Sequence, residues 1–312
     1  MTKASQKVFP FIKYRKIWYS FSLLLIAISI AALSLWGLKV GIDFTGGTLM
    51  EVEFSQTRPA PTEIKNVLAE LNLGNVSIQP VDQNRAIIRL RDVSEEEHQQ
   101  ILSKLKEKFS TDENSGVTEI RFESIGPAIG RELRDKAITA LSIAIIFIIL
   151  YIAYAFRKVS YPVQSWKYGI VAILALAHDI LITTGIFAVL GYFYNYEINI
   201  LFITALLTIL GYSVNDTIVV FDRTRENLFH QKNKEFSEVV NLALNQTLVR
   251  SINTSFTTLL VLFAIFLFGG ETIKQFVLAL IIGTIIGTYS SIFIASPLLV
   301  DWYNLSKRKR SK

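Results

Sequence analysis

The sequence contains no cysteine, which excludes a disulfide framework, a thiolate metal site and a catalytic thiol. Proline is scarce, with 7 residues in 312 against 16 glycines, so neither a collagen-like nor a Pro-rich disordered chain fits. Charge is sparse as well: 19% of residues are Asp, Glu, Lys or Arg, while 51% are hydrophobic. That charge is unevenly placed. Between Lys39 and Lys136 stand 13 Lys/Arg and 17 Asp/Glu, leaving 28 charges for the other 214 residues. A single water-soluble domain needs a polar face on every core-forming segment and would not segregate charge in this way. Two solvents are implied. The formal net charge of +6 does not point to nucleic acid, because the basic residues collect at the ends of apolar runs rather than on a polar face with interleaved aromatics.

What the chain does have is long apolar runs. A bilayer core needs about 20 apolar residues in helix, and six stretches qualify: Ile17 to Leu38, Ala137 to Phe156, Tyr168 to Leu190, Ile198 to Phe221, Leu248 to Phe268 and Phe276 to Val300. The first is too long for a signal-peptide apolar region and has no small-x-small cleavage site before Asp43. Short-loop Lys/Arg set orientation. With residues 1–16 inside, 18 basic residues fall in 1–16, the connection after Phe156, the loop 222–247 with Arg250, and the tail 301–312, whereas the short outer connections hold only Lys274. Both ends are expected in the cytoplasm.

The segment 39–136 reads as a folded extracytoplasmic head. Met50, Val52 and Phe54 alternate with Glu51 and Glu53, and Ile120 and Phe122 alternate with charged neighbours, as in half-buried strands. Ile64, Val67, Leu68 and Leu71 recur at helical spacing before Gly74, and Ser94 with Glu97 forms a capping-box signature opening a helix to about Phe109. Adding strands at Val76 to Val81 and Arg85 to Arg91, the order is βαββαβ, a ferredoxin-like α+β domain. The fold class is therefore a polytopic six-helix membrane protein with a small α+β head.

An ionisable group inside a span costs about 2.5 to 3.5 kcal/mol on insertion scales and marks a functional site by default. Asp179, beside His178, lies at mid-span; Asp216 follows Asn215 in the fourth span; Arg250 opens the fifth. At 1.5 Å per residue, Asp216 lies about 25 Å below Asn199 and Arg250 about 28 Å below Gly269, so their depths match. Each belongs to a polar stripe, Thr204, Thr208, Tyr212 and Asp216 on one helix and Arg250, Asn253, Thr254, Thr257 and Thr258 on the next. Facing stripes would make a wettable seam. The plainer readings are that Arg250 snorkels to the inner headgroups, that Asp179 and His178 join helices, and that Gly283-x-x-x-Gly287 with Thr284, Thr288 and Ser291 serves close helix packing.

Four motifs in order carry a family resemblance: Gly41-Ile-Asp-Phe-Thr-Gly-Gly-Thr48, Ser124-Ile-Gly-Pro-Ala-Ile-Gly130, His178-Asp179, and Gly211-Tyr-Ser-Val-Asn-Asp216 with its continuation to Asn227. Together they closely resemble SecF, the smaller part of the SecDF export complex in the RND superfamily, over nearly the whole chain. The resemblance implies a non-enzymatic subunit of the bacterial inner membrane. It would work with SecD and YajC beside the SecYEG channel, on unfolded preprotein, with protons as coupling ion and no cofactor or metal. Its partners would also include membrane lipid but no nucleic acid. It further implies that Asp216 and Arg250 conduct protons with an Asp supplied by SecD, with Asn215, Asp179, His178, Asn253 and Thr254 supporting, and that Gly41, Asp43, Gly46 and Gly47 form the head-junction motif. Two other readings are an RND-type small-molecule or lipid exporter half, and an intramembrane aspartyl protease using Asp179 and Asp216. The protease lacks its Gly-x-Gly-Asp context, and the exporter usually carries both six-span halves.

Overall fold

The computed structural model describes residues 8–81, 83–110, 116–157, 163–231 and 233–310, without the side chains of 271, 309 and 310. Of the basic residues assigned to the inner side, Lys3, Lys7, Lys158, Lys232 and Lys312 lie outside the described residues. The chain divides into two compact units, one holding Val40–Thr139 and the other the remainder.

Helix α1 (Arg15–Leu35) belongs to the larger unit. The smaller unit opens with a single turn, α2 (Ile42–Thr45), and strand β1 (Gly47–Phe54). It continues with α3 (Pro61–Leu68), β2 (Ser77–Val81), β3 (Arg85–Leu90), α4 (Glu95–Phe109) and β4 (Val117–Ile125). The strands form one antiparallel sheet in the order β2-β3-β1-β4. That is the arrangement the βαββαβ pattern predicts. Period-two alternation puts Met50, Val52 and Phe54 on the face covered by the helices, where they bury with Ile64, Ile88 and Leu105. Glu51, on the opposite face, is also buried and is held by Arg85 at 3.2 Å. The capping box is present: Glu97 N donates to Ser94 Oγ (3.3 Å) and Ser94 N to Glu97 Oε2 (3.1 Å). Glu95, Glu96 and Glu97 at the start of α4 and Lys106 and Lys108 at its end suit the helix dipole.

The junction glycines are conformational requirements. Gly46 and Gly47 have φ of +74° and +129°, a region L side chains rarely adopt. A Cβ on Gly46 would sit 2.7 Å from Pro127 Cα, one on Gly47 2.9 Å from Leu90 O, and one on Gly130 2.8 Å from Gly46 N. The glycine motif thus lets the α2–β1 turn lie directly against the start of α5 (Pro127–Ala155).

The larger unit continues with α6 (Ser165–Tyr194), α7 (Ile200–His230), α8 (Phe236–Phe268) and α9 (Glu271–Ser290), then a π-helical turn (Ser291–Ala295) leading into α10 (Ser296–Arg310). Among the described residues, six helical segments are long and apolar enough to cross a membrane. The segments α6, α7 and α9–α10 bury the larger share of their surface, whereas α1, α5 and α8 lie at the periphery. Glycines set the tightest approach: a Cβ on Gly283 would lie 2.1 Å from Ile209 Cδ1, and one on Gly287 2.9 Å from Ser213 Cβ, so α9 presses on α7. The π turn has a local cause. Pro297 has no N–H to offer the carbonyl four residues back and its ring would clash there, so the helix widens by one residue just before it. At the N-terminal end of α1, Arg15 Nε meets Asp301 Oδ1 at 2.9 Å, Tyr19 donates to Asp301 Oδ2 at 3.0 Å, and Trp18 packs on Phe293.

Where a loop over 222–247 is expected, α7 runs on to His230 and α8 starts at Phe236. Hydropathy ends at Phe221, but the helix is carried further by i,i+3 pairs, Arg225 with Asp222 (2.6 Å) and Arg223 with Glu226 (2.5 Å). Asn227 and Arg223 both donate to Gln246 on α8, at 2.9 and 2.7 Å.

Candidate functional site

Most buried polar groups of the membrane unit lie on α6, α7, α8 and the α9–π segment, with Ser22 and Ser29 added from α1. Asp216, on α7, is buried and accepts from two hydroxyls, Ser251 Oγ to Oδ1 (2.6 Å) and Ser291 Oγ to Oδ2 (2.8 Å). A buried carboxylate is tolerable only when its oxygens are satisfied. Here neutral donors satisfy it. One turn away, Tyr212 donates to Ser255 Oγ (3.1 Å), which lies 2.6 Å from Thr288 Oγ1. These hydroxyls continue the polar cluster along α7, α8 and α9.

Arg250 is not part of that cluster. It is exposed, and among the described residues its side chain makes no hydrogen bond or ion pair. The expected pairing with Asp216 is therefore corrected: depth matches, but one residue turns a helix by about 100°, and α8 presents Ser251 and Ser255 to the bundle instead. Arg250, Asn253, Thr254 and Thr257 all lie on the exposed side. Thr254 and Thr257 return their hydroxyls to their own helix, at Arg250 O (2.9 Å) and Asn253 O (3.0 Å). On α7, Thr204, Thr208 and Asn215 are exposed in the same way, the two threonines bonding to Ile200 O and Thr204 O. The two stripes do not face each other as a seam. They leave an exposed polar surface within spanning helices.

A second buried cluster centres on Asp179, which is fully buried. His178 Nδ1 lies 2.9 Å from its Oδ1, while Ser213 and Ser290 donate to Oδ2 at 2.5 and 2.8 Å. From His178 Nε2 the chain runs to Ser22 Oγ (3.2 Å), then to Tyr289 OH (3.2 Å), which donates to Trp18 O (3.0 Å). Four elements thus meet here: α1, α6, α7 and α9. Sequence reading found the acids but missed Ser213, Ser251 and Ser290. The available signal was that Ser251 and Ser255, four apart, lie beside the stripe that begins at Arg250.

In the head, Gly41 caps α2 and Asp43 sits in its first turn, a placement that shapes the junction. Its most connected ionisable group is His98, stacked on Phe122 and bonded to Glu119 (2.5 Å) and Glu95 (3.2 Å). Burial of the ring works against its charge, but the two carboxylates outweigh this and hold its pKa above the usual histidine value. Among the described residues no group of three His, Cys, Asp or Glu could hold a metal.

Two family models match the chain: "Protein export membrane protein SecD/SecF, C-terminal" over residues 104–305 and "SecD/SecF GG Motif" over 37–57. A curated relative, the protein translocase subunit SecF of Thermobaculum terrenum, is 45% identical over 94% of this chain and 93% of its own length. That of Synechocystis sp. is 39% identical over 93% of both. A crystal structure of SecDF from Thermus thermophilus, titled a translocon-associated membrane protein, superposes with a TM-score of 0.83 at 33% identity. It covers 97% of this chain, which in turn spans 40% of that SecDF chain.

Proposed function

The chain belongs to the SecF family of protein translocase subunits, and on that premise we propose that, with SecD, it couples the proton motive force to late preprotein translocation. It is a multi-pass protein of the bacterial inner membrane, a non-enzymatic part of the export machinery. The family assignment does not favour the exporter or protease readings. The observation that carries the proton assignment is Asp216, a buried carboxylate in a spanning helix whose only hydrogen-bond donors among the described residues are the hydroxyls of Ser251 and Ser291. A hydroxyl can donate to a carboxylate and accept from a carboxylic acid. Asp216 can therefore be satisfied in either protonation state, which a lysine or arginine partner would not allow.

Arg250 acts from the other side of α8 in this reading. With Asn215, Asn253 and Thr254 it forms the exposed polar surface where SecD docks and supplies its own Asp. The SecDF match supports this, since the larger share of that chain lies beyond the part this one covers. A guanidinium near a carboxylate favours the charged form, and its withdrawal favours protonation. Each proton crossing 100 mV delivers about 2.3 kcal/mol, enough to bias motion of the head. In this reading the head, which shows no catalytic constellation among its described residues, serves as a mechanical or substrate-binding element toward unfolded preprotein leaving the SecYEG channel, with YajC as a further partner. Both termini lie in the cytoplasm. The test is proton flux in vesicles holding this chain with SecD: Asp216→Asn abolishes it, and normal flux in that variant would sink the assignment.

A further inference from the structure

We propose that Ser290 and Ser291, where α9 enters its π turn, couple the protonation of Asp216 to that of the buried His178–Asp179 pair, so that the chain holds two linked proton sites. The inference rests on Asp216 being a proton carrier.

Consecutive helical residues point about 100° apart, and here each of two consecutive serines reaches a carboxylate on a different helix. Ser290 donates to Asp179 on α6, Ser291 to Asp216 on α7. Each hydroxyl also has a second acceptor three residues back, Ser290 with Gly287 O at 3.1 Å and Ser291 with Thr288 O at 3.0 Å. A hydroxyl has one hydrogen. When a proton arrives at Asp216 Oδ2, the new O–H donates to Ser291 Oγ and the serine hydrogen turns to Thr288 O. When it leaves, both revert. Ser290 offers Asp179 the same exchange through Gly287 O. Both exchanges reset side chains at the entrance of the π turn, whose i→i+5 bonds admit a shift that a regular α-helix resists. A second link runs through α7, where Ser213 donates to Asp179 one turn from Asp216.

Counting hydrogens locates the second proton. Tyr289 gives its hydrogen to Trp18 O and Ser22 gives its own to Tyr289, so the His178 Nε2–Ser22 contact takes its hydrogen from the ring, and the Nδ1–Oδ1 contact with Asp179 needs one more, on either atom. The pair thus shares one proton between imidazole and carboxylate. Its passage from one partner to the other leaves the net charge of the pair unchanged. Of the titratable groups on the elements packed against this pair, Tyr289 of α9 stacks on His178; Asp216 and Tyr212 of α7 lie on their own serine contacts, and Tyr19 and Arg15 of α1 are engaged with Asp301.

The test is infrared titration of carboxylic-acid bands in vesicles of the chain with SecD, the bands assigned by Asp216→Asn and Asp179→Asn. The Asp179 midpoint shifts by at least about threefold in proton affinity when Asp216 is replaced. In a double-mutant cycle, Ser291→Ala removes most of that shift, as does Ser291→Cys, which keeps the side-chain shape at somewhat larger size but donates weakly. Three results are decisive. An Asp216 band that never titrates overturns the underlying reading of that residue. An Asp216 that titrates while Asp179 stays fixed overturns the coupling. A shift of equal size in wild-type, Ser291→Ala and Ser291→Cys backgrounds overturns the role of the serines.

Discussion

The head and the buried interior of the membrane unit hold the same chemical group, a carboxylate, in different ways. In the head, carboxylates meet cations: Glu97 with Arg91, Glu70 with Lys104, Glu51 with Arg85, Glu119 with His98. Two of these pairs, Glu97 with Arg91 and Glu70 with Lys104, sit toward the surface, where water and salt weaken them and their contribution is small. In the membrane unit, Asp216 is held by serine hydroxyls and Asp179 by serine hydroxyls and one imidazole. An ion pair fixes a charge, whereas a hydroxyl accommodates its gain or loss. In the proposed reading, the head keeps its charges and the interior of the membrane unit changes them.

The sharpest way to break this contrast is to neutralise one carboxylate in each region. Asp216→Asn lowers proton flux by about a hundredfold or more, whereas Glu70→Gln leaves it within about twofold, read with a pH-sensitive dye inside SecD-containing vesicles. Equal losses would show that the two regions do not differ in kind. Next in size is the head's packing. Ile64, fully buried, costs about 2 to 5 kcal/mol when truncated to alanine, measured by denaturant-dependent hydrogen exchange in the head's strands. The same variant leaves protection in α7 and α9 unchanged if the units are energetically separate.

How much was legible in the sequence divides along the same line. The head's strands, its capping box at Ser94 and its strand order follow from local rules that act in water. The spans follow from hydropathy, and the depth of Asp216 from simple rise. What depth could not supply was rotation: Arg250 and Ser251 are neighbours in sequence, yet one faces outward and the other faces Asp216. The inward aim of Ser290 was equally hidden, because it stands one position off the stripe of Thr284, Thr288 and Ser291 and reaches a different helix. The helical extensions of α7 and α8 escaped because apolar character stops at the membrane while helix propensity does not.

Two smaller effects sharpen the comparison. Ser255→Ala removes the link between Tyr212 and Thr288 and lowers flux about threefold to tenfold, consistent with loss of one hydrogen bond of about 0.5 to 1.5 kcal/mol. An unchanged flux would confine the useful cluster to the first donors of Asp216. In the head, the folded state holds His98 at a raised pKa, so its stabilisation is complete below the ordinary value of about 6.5 and is lost as pH rises through the raised one. Hydrogen exchange in α4 and β4, corrected for intrinsic rate, therefore shows the head loosening above that range. His98→Gln flattens the dependence.

The tie between Arg15, Tyr19 and Asp301 sets a clock on biosynthesis. Helix α1 is fastened at its N-terminal end by a residue made 286 positions later. At about 5 to 20 residues per second, α1 waits roughly 15 to 60 s in the bilayer before that partner exists. Through that interval Arg15 and the ring of Trp18 have neither Asp301 nor Phe293, and the helix is held only by the lipid and by neighbours made earlier. Completion of the bundle therefore waits for residue 301, and a nascent chain stalled before Asp301 carries the apolar segments without the end that locks the first to the last.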